Sequence, residues 1–161
     1  MHYSDLTGFV KVLGYTPYFN IPIPGMDGEM IRIATEIDLL LSEVALLQDD
    51  FVARLCGACE ESCCRRVTYL FDERDIIFAK VFLRQNVPKR RRRGGRGCSF
   101  VSETGCTLLP KARPFTCHRY LCSRLKEDMA AHDPELPKKL NRKFRVLEDL
   151  RGRLWRDYLA L

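Results

Sequence analysis

Two stretches of the chain carry apolar residues at intervals of three or four, which is the spacing of one helix face. The first runs from about Gly28 to Arg54, and Asp27 precedes it as an N-cap. Its apolar positions are Ile33, Ile37, Leu40, Val44, Leu47 and Phe51. The second occupies 134–161, and its apolar positions are Leu136, Leu140, Phe144, Leu147, Leu150, Leu154, Tyr158 and Leu161. The pattern predicts two long amphipathic helices that pack against each other as the core.

A capping pattern predicts a shorter helix between them. Asp72 is the expected N-cap, and Asp75 follows three positions later, the spacing of a capping box. The apolar residues continue to about Gln85, and Pro88 ends the helix because proline cannot extend it. Residues 67–71 are mostly β-branched or aromatic, so we expect a short strand that leads into this helix.

Two β-prone runs further along predict a hairpin. Its strands are expected at 98–101 and 106–109, with 102–105 as the connection. Pro110 and Pro114 bracket a turn into a short helix. That helix is expected to carry Cys117, His118 and Cys122. The predicted fold class is mainly α with a small β-hairpin, in which two long packed helices support a cysteine-rich metal-binding insert at 56–122.

Composition predicts a single domain over residues 1–161. The chain is 46% hydrophobic and 30% charged, as expected for a chain that buries one core. Residues 1–28 contain several aromatic side chains together with Pro22 and Pro24, which favours an extended arm lying against the domain. No apolar run reaches the length of a membrane span, and no secretory leader follows Met1. We therefore expect a cytoplasmic protein that does not enter a membrane.

Positive charge is concentrated in one glycine-containing segment, 89–97. Its six basic side chains equal the whole net charge of +6, so the rest of the chain sums to zero. The low complexity of this segment predicts a mobile loop. It is not a nucleotide-binding loop, because no predicted strand precedes it and no predicted helix opens from it. The candidate anion-binding residues are Lys89, Arg90, Arg91, Arg92, Arg93 and Arg96.

Eight cysteines supply the candidate chemistry, and all of them lie within 56–122. They are Cys56, Cys59, Cys63, Cys64, Cys98, Cys106, Cys117 and Cys122. Two cysteines separated by two residues commonly present their sulfurs to one metal ion. The adjacent pair Cys63-Cys64 is different, because neighbouring side chains diverge. It suits a boundary between two sites, or one ligand beside one buried thiol. Free structural cysteines and a disulfide framework are the alternatives, and the latter is typical of smaller secreted chains.

The flanking residues resemble a known family. The succession C-x2-C-x3-C-C, followed by C-S-F-V, G-C-T-L and R-P-x-x-C-H-R-Y-x-C, is similar to the YkgJ-type cysteine-cluster family of zinc- or iron-chelating domains. Similar domains occur in flagellin lysine methylases. The likeness covers about 56–122. It departs from the family at His118, where an arginine usually follows the cysteine, and at 89–97, which looks like an insertion. The resemblance implies metal binding, not a reaction.

The all-sulfur ligand set restricts the metal. Four thiolates satisfy Zn²⁺ or hold a [4Fe–4S] cluster, and eight allow one or two such sites. The cysteine spacings match neither the usual zinc ribbon nor the usual ferredoxin. The resemblance and the sulfur-only set favour iron or iron–sulfur slightly over zinc. The arginines beside the cysteines are expected to balance the negative charge of such a site. They are Arg65, Arg66, Arg113 and Arg119.

These features favour a binding or redox accessory module with a protein partner over an enzyme. His2 and His132 are expected at the surface. His118 is expected to be a helix residue, with a role as metal ligand or proton donor left open. The alternative prediction is a nucleic-acid or ribosome-associated protein with a purely structural zinc site. That protein would bind phosphates weakly through 89–97, in a salt-dependent way. An acidic protein partner would fit the same loop.

Overall fold

The described part of the chain is mainly helical, as the hydrophobic pattern predicts. The structure, a computed structural model, describes residues 27–56, 58–60, 62–66, 71–79, 97–98, 100–102, 105–108 and 112–161. The predictions of an arm at 1–28, a strand at 67–71, a helix continuing to Gln85 and a basic loop at 89–97 fall wholly or mostly outside these residues.

Helix α1 spans Gly28–Phe51. Its N-cap is Asp27, as predicted, and the Asp27 side chain accepts a hydrogen bond of 2.9 Å from the Met30 backbone N–H. A π-helical turn over Val52–Cys56 follows directly, so the α-helical part ends three residues before the predicted boundary at Arg54. A single wider turn thus brings the chain from the core helix to the first cysteine.

Helix α6 spans Leu136–Leu159 and packs along α1, which confirms the predicted core. Its predicted apolar positions from Leu136 to Leu154 are all buried, and Tyr158 packs at the edge. Leu161 was predicted on the same face, but it lies beyond the helix end and is 58% exposed. Among the described residues, no helix combines the length and apolarity needed to cross a bilayer.

The residues described between α1 and the hairpin include two short helices. Helix α2 is the single turn Cys63–Arg66, and helix α3 spans Glu73–Phe78. The predicted capping box is present: the Asp72 side chain accepts from Asp75 N at 2.8 Å, and the Asp75 side chain accepts from Asp72 N at 3.2 Å. Helix α3 packs on α6 and so ties the cysteine region to the core.

The predicted hairpin is present with shorter strands. Strand β1 is Val101–Ser102 and strand β2 is Gly105–Cys106, paired antiparallel with Val101 opposite Cys106. Ser102 and Gly105 were assigned to the connection at 102–105, but both belong to the ladder. The predicted strand positions 98, 100, 107 and 108 lie outside the strands.

The segment after Pro114 forms two helices instead of one. Helix α4 spans Phe115–Arg119 and carries Cys117 and His118, whereas helix α5 spans Ser123–His132. Cys122 was predicted on α4, but it is the N-cap of α5. The extended backbone at Tyr120 and Cys122 (ψ 105° and 164°) separates the helices. Because of this break, the Cys117 and Cys122 thiols are free to face different neighbours.

Candidate metal centre

All eight cysteines are free thiols. Thiols from separate segments of the chain act on one another at Cys56, Cys64 and Cys117. Seven are partly buried, and only Cys106 is exposed. The disulfide framework considered from the sequence is therefore not formed. The contacts between these segments decide which thiols are neighbours.

The first cysteines are placed by a tight turn. The Cys59 backbone N–H donates to the Cys56 carbonyl at 3.3 Å, closing the turn that follows the π-helical segment. Cys63 and Cys64 then open helix α2, in which Arg65 N donates to Ser62 O at 2.9 Å. Successive residues of a helix turn by about 100°, so the two adjacent thiols point in different directions.

A backbone contact docks Cys98 onto helix α2. Cys98 N donates to the Cys64 carbonyl at 2.7 Å. Gly97, just before it, has φ 112°, a conformation that side chains disfavour. A Cβ atom at Gly97 would lie 2.3 Å from the Arg65 carbonyl oxygen. Only glycine therefore allows the two backbones to approach this closely.

The hairpin and the arginine that follows it extend this contact. Val101 N donates to Cys98 O at 3.3 Å, and Val101 pairs with Cys106 across the ladder. Arg113 Nε donates to the Leu108 carbonyl at 3.1 Å. Cys98, Cys106 and the turn before α4 are thereby connected through hydrogen bonds.

Helix α4 is fixed from two sides. At its start, Phe115 N donates to Asp75 Oδ1 at 3.2 Å. Near its end, Gln48 Nε2 of α1 donates to the His118 carbonyl at 2.8 Å. His118 itself is 2% exposed and is, as expected, a helix residue packed in the interior. Cys117 therefore sits on a short helix held by both α1 and α3.

Four thiols interact around the first turn. Burial raises the pKa of Cys56, and the charges of Cys122, Cys63 and Cys59 raise it further, in that order. The Tyr120 side chain hydrogen-bonds to Cys63, whose charge is also the main cause of the raised pKa of Tyr120. We call this set the first thiol group; it consists of Cys56, Cys59, Cys63 and Cys122.

The other four thiols interact around the hairpin. Burial raises the pKa of Cys117 to about 12, with further contributions from Cys64, Cys106 and Cys98. Burial raises the pKa of Cys64 to about 11, and Cys106 and Cys98 contribute more than the thiols of the first group. We call this set the second thiol group; it consists of Cys64, Cys98, Cys106 and Cys117.

Of the four arginines expected to balance charge, Arg113 is placed to do so. Burial and the neighbouring thiols raise the pKa of Cys56 in the first group and of Cys117 in the second, and the Arg113 guanidinium offsets part of each rise. Arg119 is not, because it forms an exposed ion pair with Glu148 at 2.8 Å. Arg65 is exposed, and its backbone carbonyl makes the close approach to Gly97.

The thiols are near one another without meeting at coordination distance. In the segments that the structure describes, no three Cys, His, Asp or Glu side chains converge closely enough to hold a metal ion. The chemistry of the donors nevertheless fits Zn²⁺ or an iron–sulfur cluster, because both centres are held by cysteine thiolates. Movement of the side chains and the loss of thiol protons would have to accompany binding.

Two buried polar residues that support this region were not singled out from the sequence. Arg151 is 4% exposed and Gln48 is 5% exposed, both on the facing sides of the core helices. A signal for Arg151 was available, since it follows Leu147 by four residues and therefore lies on the apolar face of α6. No signal in the sequence identified Gln48 as the donor to the His118 carbonyl.

Comparisons with known proteins do not extend these observations. No family model, curated protein or solved structure matches the chain.

Proposed function

We propose that this chain is a metal-binding cysteine-cluster protein that acts as a binding or redox accessory module for a protein partner. The observation that supports the proposal is that all eight cysteines are free, and that thiols from separate segments of the chain act on one another at Cys56, Cys64 and Cys117. Structural cysteines of a core are usually buried singly among apolar side chains. Mutually interacting thiols in sets of four are typical of metal ligands.

The electrostatics of the thiols describe their state before a metal binds. Burial and the neighbouring sulfurs raise the pKa of Cys56, Cys64 and Cys117, so the metal-free chain holds these groups as neutral thiols. A divalent cation or an iron–sulfur cluster would reverse this balance, because a coordinated thiol is deprotonated. Arg113 would then offset part of the negative charge of the thiolates.

Iron or an iron–sulfur cluster is favoured over zinc. The support is the sulfur-only ligand set together with the resemblance of 56–122 to the YkgJ-type family. Both centres accept four thiolates, so the choice is made by elemental analysis. A coloured centre would supply electron transfer to the partner, and a zinc centre would supply rigidity.

The test is metal analysis of protein purified without oxygen, combined with a visible absorption spectrum. Iron with acid-labile sulfide and broad visible absorption is expected. A colourless protein containing zinc would keep the metal-binding function and reject the redox role. Protein without either metal would reject the proposal. Cys117→Ser should lower the metal content, whereas Thr116→Ser, an exposed neighbour on the same helix, should leave it unchanged.

A nucleic-acid-binding function is the second candidate, supported by the concentration of the net charge in 89–97. Replacing four arginines of this segment by serine should abolish polyanion binding and flatten its salt dependence by about one unit of slope for each phosphate that is no longer bound. The four are Arg90, Arg91, Arg92 and Arg93. The matched control replaces four basic residues of α6 by glutamine and should retain binding. Those four are Lys138, Lys139, Arg142 and Arg145. If the parent protein binds neither RNA, DNA nor heparin, this candidate is discarded.

A further inference from the structure

We propose that an exposed apolar stripe on helix α1 is the docking surface for residues 1–26 of the same chain. This segment lies outside the described residues, and Asp27, the N-cap of α1, follows it directly. The stripe consists of five uncharged residues: Ile31, Thr35, Leu39, Ser42 and Leu46. The inference is independent of the proposed metal-binding function.

The five residues of the stripe share one face of α1. They follow one another at intervals of four, four, three and four, which keeps side chains on one side of a helix with 3.6 residues per turn. Ile31, Leu39 and Leu46 are 45%, 60% and 79% exposed. At a rise of about 1.5 Å per residue, the stripe extends for roughly 22 Å along the helix. It is therefore a continuous apolar surface and not a single exposed side chain.

The two hydroxyl residues of the stripe do not make it polar. The Thr35 hydroxyl donates to the Ile31 carbonyl at 2.8 Å, and the Ser42 hydroxyl donates to the Asp38 carbonyl at 2.7 Å. Each hydroxyl proton is thus bound within the helix itself. The charged surface residues of this part of α1 lie on the adjacent face. They are Arg32, Glu36 and Glu43.

The composition of residues 1–26 fits an uncharged surface. Half of these residues are apolar, and five of them are aromatic. The charged residues are one acid and one base, Asp5 and Lys11, so the side chains carry no net charge. Removing such apolar side chains from water, together with those of the stripe, is favourable.

The connection at Asp27 brings the segment to the stripe. The segment joins α1 at the end where the stripe begins, four residues before Ile31. Twenty-six residues span about 39 Å as a helix and more when extended, against roughly 22 Å for the stripe. The segment is therefore long enough to cover the stripe after turning back at the start of α1.

The size of the stripe argues against a second protein molecule as its occupant. A stable interface between two proteins takes about 20–30 residues from each side. Five residues are too few to offset the translational and rotational freedom that a second molecule loses on binding. A segment of the same chain has already lost most of that freedom, because its covalent link keeps it close to the surface.

The experiment is limited trypsin digestion of the full-length protein, with mass spectrometry of the released peptide 1–11. Lys11 is the only lysine or arginine in 1–26, so this peptide reports on the segment alone. Release is expected to be slower from the protein than from a synthetic peptide of residues 1–26, because a docked segment must detach before it is cleaved. Leu39→Glu/Leu46→Glu should accelerate release from the protein at least about 10-fold, since burial of one leucine side chain shifts an equilibrium by about that factor or more.

Two control variants accompany this one. Leu159→Glu changes a leucine of α6 that is 63% exposed, close to the exposure of Leu39, and should leave the release unchanged. Leu39→Met/Leu46→Met keeps the stripe apolar and should keep the release slow. Far-UV circular dichroism establishes that each variant is folded.

Three results would overturn the proposal. The first is wild-type release as fast as that from the synthetic peptide. The second is a release rate that Leu39→Glu/Leu46→Glu leaves unchanged or that Leu159→Glu raises equally. The third is light scattering that finds a wild-type dimer and a monomeric Leu39→Glu/Leu46→Glu variant, because the stripe would then bind a second copy. The metal content does not enter the measurement, so failure of the proposed function would leave this test unaffected.

Discussion

Arg151 of α6 donates a hydrogen bond of 2.7 Å to Asp75 Oδ1 in the capping box of α3. Both side chains are nearly inaccessible, at 4% and 10% exposure. The same guanidinium donates to Asp72 Oδ1 at 2.7 Å and lies 4.3 Å from the centre of the Phe115 ring. Because Asp75 also accepts from Phe115 N, one ion pair connects α6, α3 and the start of the helix that carries Cys117.

Removing this cation should destabilise the protein strongly. Arg151→Met leaves the Asp75 carboxylate buried without a cation, so we expect the free energy of unfolding in urea to fall by about 3–5 kcal/mol. The matched control is Arg119→Met, which breaks the exposed ion pair with Glu148 and should change stability by about 0–1 kcal/mol.

A second substitution tests the cause of that destabilisation. Adding Asp75→Asn to Arg151→Met removes the buried charge, so part of the stability should return. The free energies of unfolding of the double variant and of both single variants are compared. If the losses caused by Arg151→Met and Asp75→Asn simply add in the double variant, the charge of Asp75 is not the cause.

Two glycine-to-alanine substitutions should change the stability of the protein in opposite directions. Gly97→Ala places a methyl group 2.3 Å from the Arg65 carbonyl in a left-handed conformation, so stability should fall by about 1–3 kcal/mol. The contact of Cys98 with Cys64 should open, and the metal content should fall. Gly152→Ala, inside α6, meets only the Arg156 side chain at 3.5 Å and should raise stability by about 0.5–1 kcal/mol. Thermal unfolding of the two variants, compared with the wild type, checks the loss and the gain of stability.

Two arginines close in sequence should differ in their effect on metal binding. Arg113→Gln removes a positive charge that acts on both thiol groups, so metal affinity should fall about 10–100-fold, as for other groups that surround metal ligands. Arg119→Gln should leave the affinity unchanged, because its guanidinium is paired with Glu148. Competition with a chromophoric chelator measures both. Equal decreases in the two variants would mean that general surface charge is responsible.

Removing the metal should loosen the cysteine region far more than the two long helices. Metal-binding free energy at a cysteine site is also folding free energy, of order 10 kcal/mol for structural zinc. The α1–α6 core contains its own apolar contacts and should persist. Hydrogen exchange before and after complete chelation should therefore accelerate at 98–122 and change little at 136–159. Unchanged exchange at 98–122 would reject the structural role of the metal.

Much of the fold could be predicted from the sequence because its signals are local. Helices α1 and α6 follow from apolar spacing, and the caps at Asp27 and Asp72 follow from side chains that reach backbone N–H groups three residues away. The strand boundaries and the helix after Pro114 were less predictable. A two-residue strand carries almost no periodic signal, and the extended residues at 120–122 contain neither glycine nor proline to mark the break.

The sequence by itself determined the two-helix core, the eight thiols and their confinement to 56–122. Only the tertiary structure decided that the Cys122 thiol interacts with Cys56 and the Cys117 thiol with Cys64. It also decided that Arg113 acts on both thiol groups, whereas Arg119 is paired with Glu148. The physical reason is distance along the chain. A helix face or a cap is set by residues within one turn of each other, whereas the neighbours of a thiol are set by how segments far apart in the chain pack together. At Gly97 and Arg65, that packing depends on the absence of a single methyl group.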